Sequence, residues 1–566
     1  MSDWYGSDRF VDRLAGLGIE HLALNPGASI RGLHDSLVNP PGRSPGLVLA
    51  LHEGIAVAIA HGYAKATGRP MAVGLHDTVG LLNGSMGIFN AWADRAPVVL
   101  VVGTGPLDSA HRRPYLDWIH TVGEQGEFVR HLTVWNEQPA SLEALMTTTV
   151  RAVRAARGAP GGPALIGFDI GLQEAPAEPP DEPATAFRLE PARIAPDPAL
   201  VEELAGNLRT ARRPLFMTDR PLSPDGSATL VRLAERLGAG LLELGGGASF
   251  PVGHPHDVSE GALDAVRAAD HVTLVDVRDP SFALGTVDLA TRRMEGLERL
   301  PAMASIGLGA LMDQSWMVTE SMGPERLEIV ADPALTLAQL DEATRGTEGS
   351  LDPAFATIAG RPPPALPDMA SATGPRGIHR GHVGRVLANC LEGRDWILAH
   401  GQFGGWARRM LRFQRPGQFL GRSGGEGLGY GPGAAVGAAL ALRGSGRLVV
   451  SLQGDGDLLY TPQAIWTAAH EGLPLLVVVD ANRTYGKDEQ HQRVLARERG
   501  RPDANSGRGI LIEGPVVDHA ALARSLGVAA EGPIVELTAL EPAFRRAIDR
   551  VAAGEPALVE VRTAPD

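Results

Sequence analysis

The chain has 566 residues, 44% hydrophobic and 21% charged, with a formal net charge of −14. That length suits three or four domains, and an acidic chain with no dense basic cluster excludes nucleic acid as a main partner. Its single cysteine, Cys390, excludes an intrachain disulfide and points to a reducing, cytoplasmic setting, while no signal-peptide pattern opens the chain and no apolar run is long enough for a membrane span.

Residues 1–178 alternate short apolar strands with helical stretches. HLALNPG, GLVLALHE, MAVGLHD, APVVLVVG and PALIGFDI are the strands, and EGIAVAIAHGYAKATG and GSMGIFNAWADRA are the helices between them. This is the rhythm of a parallel sheet covered by helices. EAPAEPPDEPA then reads as a linker, being rich in proline and acid. Residues 190–350 repeat the rhythm in RPLFMTDR, GAGLLELG, HVTLVDV and LEIVADP, and a second proline-rich stretch, GRPPPALPDMASATGP, closes that block. Residues 375–566 return to it in WILAHG, RLVVSLQGDGD, LPLLVVVDAN and PALVEVR. The expected fold is α/β, three doubly wound parallel-sheet domains joined by two linkers.

In open α/β sheets ligands bind beyond the carboxyl ends of strands, so the residues just after each apolar run carry the information. Asp455 follows RLVVSLQG and Asn482 follows LPLLVVVDA. If those strands are neighbours, both side chains leave the same sheet edge. Gly454 and Gly456 allow a sharp turn and close approach to a ligand. One carboxylate, one amide oxygen and a nearby carbonyl make a hard oxygen set suited to Mg²⁺, which normally shares its shell with ligand phosphates. A helix starting near Asp457 or Thr461 would aim its N-terminus at the same anion. Turn residues in surface loops are the alternative for both Asp455 and Asn482.

Gly454–Asp455–Gly456 followed after a helix and a strand by Asn482 resembles the cofactor motif of thiamine diphosphate-dependent enzymes. The resemblance implies that Asp455, Asn482 and the backbone oxygen of Thr484 bind Mg²⁺. The family usually carries two consecutive asparagines; here the first is Ala481. LALHEGIAVAIAHGYAKATGRP resembles the segment bearing the family's activating glutamate, which places that role on Glu53, a residue that alone would read as a helix cap. GGEGLGYGPGAAVGAAL resembles the segment that props the cofactor, implying Leu428 under its bend and the Glu426 carbonyl against its amino group. LAHGQFGGWARRM resembles the strand-to-loop segment that carries Gly-Gln in acetolactate synthases, implying Gly401 and Gln402 against the diphosphate, alongside Gly454, Gly456 and Asp457. The three blocks become pyrimidine-binding, central and diphosphate-binding domains. The family builds its sites from two subunits, so a homodimer or a dimer of dimers is implied, with sites at the subunit interface.

Within that family the sequence is similar to benzoylformate decarboxylases and to the acetolactate synthase-like group. NPGASIRGLHDSL resembles the decarboxylase substrate loop, with Ala28 at the serine position and Ser29 next to it. VGLHDTVGLLNGSMGIFNAW places His76 on that enzyme's catalytic histidine. A second catalytic histidine has no counterpart in VDVRDPSFALGTV; the resemblance puts His120, in HRRPYLDWIHTVGEQG, and His491, in YGKDEQHQ, at pocket positions, as candidate catalytic imidazoles in its place in a more polar pocket. His111–Arg113 is either a carboxylate or phosphate contact or a solvated loop. The implied activity uses thiamine diphosphate and Mg²⁺ on a 2-oxo acid, by decarboxylation, by acyloin carboligation through an enamine, or by both. The acceptor in a carboligation would be an aldehyde or a second 2-oxo acid. No motif in 190–350 supports a flavin, and a flavin or NAD oxidoreductase leaves Glu53 and Asp455 unexplained.

Overall fold

A computed structural model describes residues 4–180, 190–245, 247–288, 293–295, 300–312, 326–368, 371–374 and 376–564. Residues 181–184 of the first linker and 369–370 and 375 of the second lie outside the described residues. Three parallel sheets organise the molecule.

The first sheet is built from β1 (His21–Leu24), β2 (Gly46–Leu49), β3 (Met71–Leu75), β4 (Val98–Thr104), β5 (Trp135–Glu137) and β6 (Ala164–Asp169) in the order β2-β1-β3-β4-β6-β5. Every pairing is parallel. The strands β3 and β4 are buried along their whole length, as continuous apolar runs covered on both faces should be. Chain order reverses between β1 and β3, so the residues after β1, β2 and β3 gather at a topological switch point. Helix α1 (Glu53–Thr67) leaves β2, α2 (Asp77–Ala93) leaves β3, and the short α3 (Leu116–His120) lies in the segment after β4. The first linker begins as ordered chain: Pro176–Ala177 pairs antiparallel with Trp4–Tyr5.

The central sheet runs β8-β7-β9-β10-β11, from β7 (Pro214–Thr218), β8 (Gly240–Glu243), β9 (His271–Val275), β10 (Ala302–Gly307) and β11 (Arg326–Val330). The third runs β12-β13-β14-β16-β15, from β12 (Trp396–His400), β13 (Leu448–Gly454), β14 (Leu475–Ala481), β15 (Ala529–Ile534) and β16 (Ala557–Arg562). The third sheet's helices include α4 (Tyr430–Ala441), α5 (Asp455–Tyr460), α6 (Gln463–His470) and α7 (Gly486–Glu498).

One apolar cluster runs from the first sheet through α1 and α4 into the third sheet. Small residues let these two helices meet backbone to backbone. A Cβ on Gly62 would lie 2.0 Å from the Ala434 carbonyl oxygen, and one on Gly437 1.9 Å from that of Ile59. Polar groups join the central domain to the other two. Asp94, just past α2, accepts from Lys65 Nζ at 3.0 Å, and the same ammonium donates to the Arg422 carbonyl at 2.7 Å. Arg220 donates to the Ala93 carbonyl at 2.7 Å, and Arg95 pairs with Asp276. Burial alone would raise the Asp94 carboxyl, but Lys65, His61 and Arg220 outweigh it and hold the group well below the usual carboxylate range. Among the described residues no helix is long and apolar enough to cross a membrane.

Candidate active site

The strands β13 and β14 are parallel neighbours, with Gly454 opposite Asp480. Asp455 and Asn482 therefore leave one sheet edge together and line one cleft of about 790 Å³. Asp455 is itself the first residue of α5, so the helix begins earlier than Asp457 or Thr461. Its carboxylate is 3% exposed. Its Oδ1 accepts from the Gly456 amide at 2.8 Å and its Oδ2 from the Arg483 amide at 2.5 Å. Arg483 sits in the left-handed region, at φ 61°, which turns its N–H back toward Asp455. The Asn482 side-chain oxygen accepts from the Thr484 amide at 3.0 Å. Thr484 lines the same cleft.

Burial pushes the Asp455 carboxyl up to about 6; the two amide donors lower it in part, and neighbouring Asp480 raises it again. Asp457 is likewise pushed up to about 6 by burial, opposed by the Gly429 amide, which donates to its Oδ1 at 2.6 Å. The other Asp457 oxygen, Oδ2, is buried without a hydrogen-bond partner, 3.8 Å from His400 Nε2. Of the other acids lining the cleft, Asp480 pairs with Arg380 at 2.8 Å and Glu426 with Arg422 at 3.0 Å. Among the described residues no group of three or more His, Cys, Asp or Glu side chains forms a metal cluster. One carboxylate, an amide oxygen and a carbonyl fit a hard divalent cation that shares its shell with a phosphorylated ligand.

Gly401 and Gln402 follow β12 and line the same cleft, as do Gly454, Gly456, Asp457, Glu426 and Leu428. The loop carrying Glu426 and Leu428 is clamped to α2. Ser423 Oγ donates to Asn90 Oδ1 at 2.7 Å, and a Cβ on Gly427 would lie 2.2 Å from Met86 Cε. Glu426 takes φ 49°, and Leu428 is 39% exposed. His491 is exposed on α7, one residue beyond Gln490 at the cleft wall.

A second constellation sits at the switch point of the first sheet. Glu53 opens α1 and is 6% exposed. Its two oxygens accept from Asn25 Nδ2 at 3.1 Å and from Asn83 Nδ2 at 3.2 Å. Asn25 follows β1 and Asn83 lies on α2, so three segments fix one carboxylate. His76, capping α2, accepts at Nδ1 from the Ser29 amide at 3.3 Å, and Ser29 Oγ lies 2.8 Å from the same nitrogen. With an amide donor at Nδ1, the neutral ring carries its proton on Nε2. Burial lowers the His76 pKa, with His120 and Arg113 adding to this against Asp77 and Glu53. His120 stands edge-on to it, ring centres 5.1 Å apart. Within one chain Glu53, His76 and His120 do not line the cleft that holds Asp455.

Residues 5–144 match the family described as Thiamine pyrophosphate enzyme, N-terminal TPP binding domain, and residues 399–561 match Thiamine pyrophosphate enzyme, C-terminal TPP binding domain. The chain belongs to the thiamine pyrophosphate enzyme family. This thiamine pyrophosphate enzyme is 29% identical over 527 residues to a benzoylformate decarboxylase of Pseudomonas aeruginosa, covering 91% of each chain. It is 27% identical over 582 residues to an acetolactate synthase large subunit of Mycobacterium tuberculosis, covering 98% of this chain and 94% of that one. The crystal structure of benzoylformate decarboxylase from Polynucleobacter necessarius shares the fold with a TM-score of 0.80, at 21% identity and 99% coverage of both chains.

Three residues that the structure of this thiamine pyrophosphate enzyme places around the candidate site escape a reading of the sequence. Asn25 is visible only as the first residue of the NPG loop. Asn83 looks like part of an NGS sequon, and only the packing of α2 on α1 reveals it as a donor to Glu53. His400, buried at the end of β12 with Nδ1 unpartnered, carries no motif signal at all.

Proposed function

We propose that the protein is a thiamine diphosphate- and Mg²⁺-dependent carbon–carbon lyase or ligase acting on a 2-oxo acid. When bound, the cofactor supplies a carbon nucleophile and an electron sink. The observation that carries the reading is Asp455 and Asn482 side by side in one cleft, with the Asp455 carboxylate buried and held by two backbone amides. Asp455, Asn482 and the Thr484 carbonyl would hold the cation. Gly401, Gln402, Gly454, Gly456 and Asp457 would hold the diphosphate, and Glu426 and Leu428 the rest of the cofactor.

The first-sheet constellation supplies the organic chemistry. Glu53, oriented by two side-chain amides, would face the pyrimidine ring and hold a proton there. Neutral His76 would present Nε2–H as a hydrogen-bond donor to the carbonyl oxygen of a 2-oxo acid, which gains charge when a nucleophile adds to its carbon. His120 adds a second imidazole beside the first, a further group able to pass a proton. Because Glu53 does not line its own chain's cleft, the complete site would form between two subunits. An apolar stripe on α2 beside Asn83 supports this: Val79, Leu82 and Met86 are 41%, 48% and 41% exposed. In a monomer such a stripe is costly to leave in water.

The relatives named above favour decarboxylation, acyloin formation, or both. A panel of 2-oxo acids, with and without aldehyde acceptors, read by mass spectrometry, separates the outcomes. Carbon dioxide with free aldehyde marks a decarboxylase, and a coupled hydroxyketone marks a carboligase. Purified protein that binds no thiamine diphosphate at any Mg²⁺ concentration would end the proposal.

A further inference from the structure

Asp77 follows His76 and opens α2 with φ 49°, a conformation costly for a residue with a side chain. It is 1% exposed. Its Oδ2 accepts from Thr121 Oγ1 at 2.8 Å, and its Oδ1 from Gln125 Nε2 at 2.6 Å. Its own helix is bound too: the Thr78 amide donates to Oδ1 at 2.8 Å. Thr121 is tied in turn to the end of β4, accepting from the Gly105 amide at 3.1 Å. The packing there is close, since a Cβ on Gly105 would lie 2.6 Å from Thr121 Oγ1. Thr121 immediately follows His120 and Gln125 lies a short way beyond it, and the His120 ring meets His76 edge-on. One buried carboxylate therefore joins the residue that bears one imidazole to the chain that bears the other.

We propose that Asp77 is a positioning residue, latching the 105–125 segment to the start of α2 so that His120 is set against His76. The role rests on the reading of His76 as part of the active site. It differs from simple loop bracing in having an electrical side. The groups that face the His76 ring are Asp77, His120, Glu53 and Arg113, with Ser29 at Nδ1. Asp77 and Glu53 favour the charged imidazole; His120 and Arg113 oppose it.

Two kinds of variant separate latch from charge. Asp77→Asn keeps an acceptor for Gln125 and a donor for the Thr121 hydroxyl, but removes the charge. Thr121→Val and Gln125→Leu, made separately so that one misfolding leaves the other, weaken the latch and keep the charge. Hydrogen–deuterium exchange over 105–125 should rise about threefold or more in the latch variants and stay near wild type in Asp77→Asn. In turnover of a 2-oxo acid, the acid limb of the kcat–pH profile should move down by about half a unit in Asp77→Asn, and up by a similar amount when His120 is released. Wild-type exchange in both latch variants would overturn the latch. Profiles of Asp77→Asn and the latch variants that superpose on wild type would overturn the positioning role. Full activity of His76→Ala would instead overturn the functional reading, and the positioning role with it, while the exchange result stood.

Discussion

Asp455 and Glu53 are placed alike and surrounded differently. Each opens the helix that follows a parallel strand, and each is at least nine-tenths buried. Glu53 accepts from two side-chain amides contributed by distant segments, which hold it in one orientation. Asp455 accepts from two backbone amides of its own turn and the next, and stands beside a second buried acid, Asp480. The contrast teaches how a fold assigns roles to identical chemistry. Neutral side-chain donors orient a carboxylate for directed hydrogen bonding. A carboxylate left with excess charge and short backbone donors is prepared for a cation.

The largest effect should come from destroying the cation side. Asp455→Ala should weaken Mg²⁺-dependent retention of thiamine diphosphate by about a thousandfold or more, measured by circular dichroism or fluorescence titration. Unchanged retention would remove Asp455 from the metal shell. Glu53→Gln keeps the shape of the other acid, so cofactor should still bind with nearly wild-type affinity while turnover falls by about a hundredfold or more. If cofactor affinity collapsed as well, the division between an orienting acid and a cation-binding acid would fail. His76→Ala should slow 2-oxo acid turnover by about ten- to a hundredfold with little change in cofactor affinity.

A subtler effect concerns protons. The folded-state value of Asp455 is raised from 3.8 to about 6, so burying it ionised costs stability at neutral pH, and that cost shrinks as pH falls from about 6 toward 3.8. A cation requires the ionised form. Apparent Mg²⁺ affinity should therefore drop by about tenfold per unit below pH 6, and the metal-free protein should lose stability as pH rises through the same range. Flat metal affinity between pH 5 and 7 would contradict this. The smallest change should follow Asn83→Ala, which leaves Glu53 with one amide donor and should reduce kcat by about five- to tenfold at unchanged metal affinity.

Much of this was legible before any coordinates, because apolar runs bounded by glycine and proline mark strands, and strand ends mark ligand sites. The neighbouring placement of Asp455 and Asn482 follows from two such runs separated by one helical crossover. What stayed hidden depends on partners far apart in sequence. Asn83 donates to a carboxylate 30 residues away, and only after α2 has folded over α1. The same holds for Asp77, whose latch spans 44 and 48 residues. The Asp94–Lys65–Arg220 junction involves all-charged residues that composition alone reads as solvated surface, yet it is buried between domains.

The seam between α1 and α4 carries a mechanical consequence. With glycine backbones pressed against neighbouring carbonyls, the pair can neither slide nor pivot without collision. The first and last domains therefore travel as one stiff block.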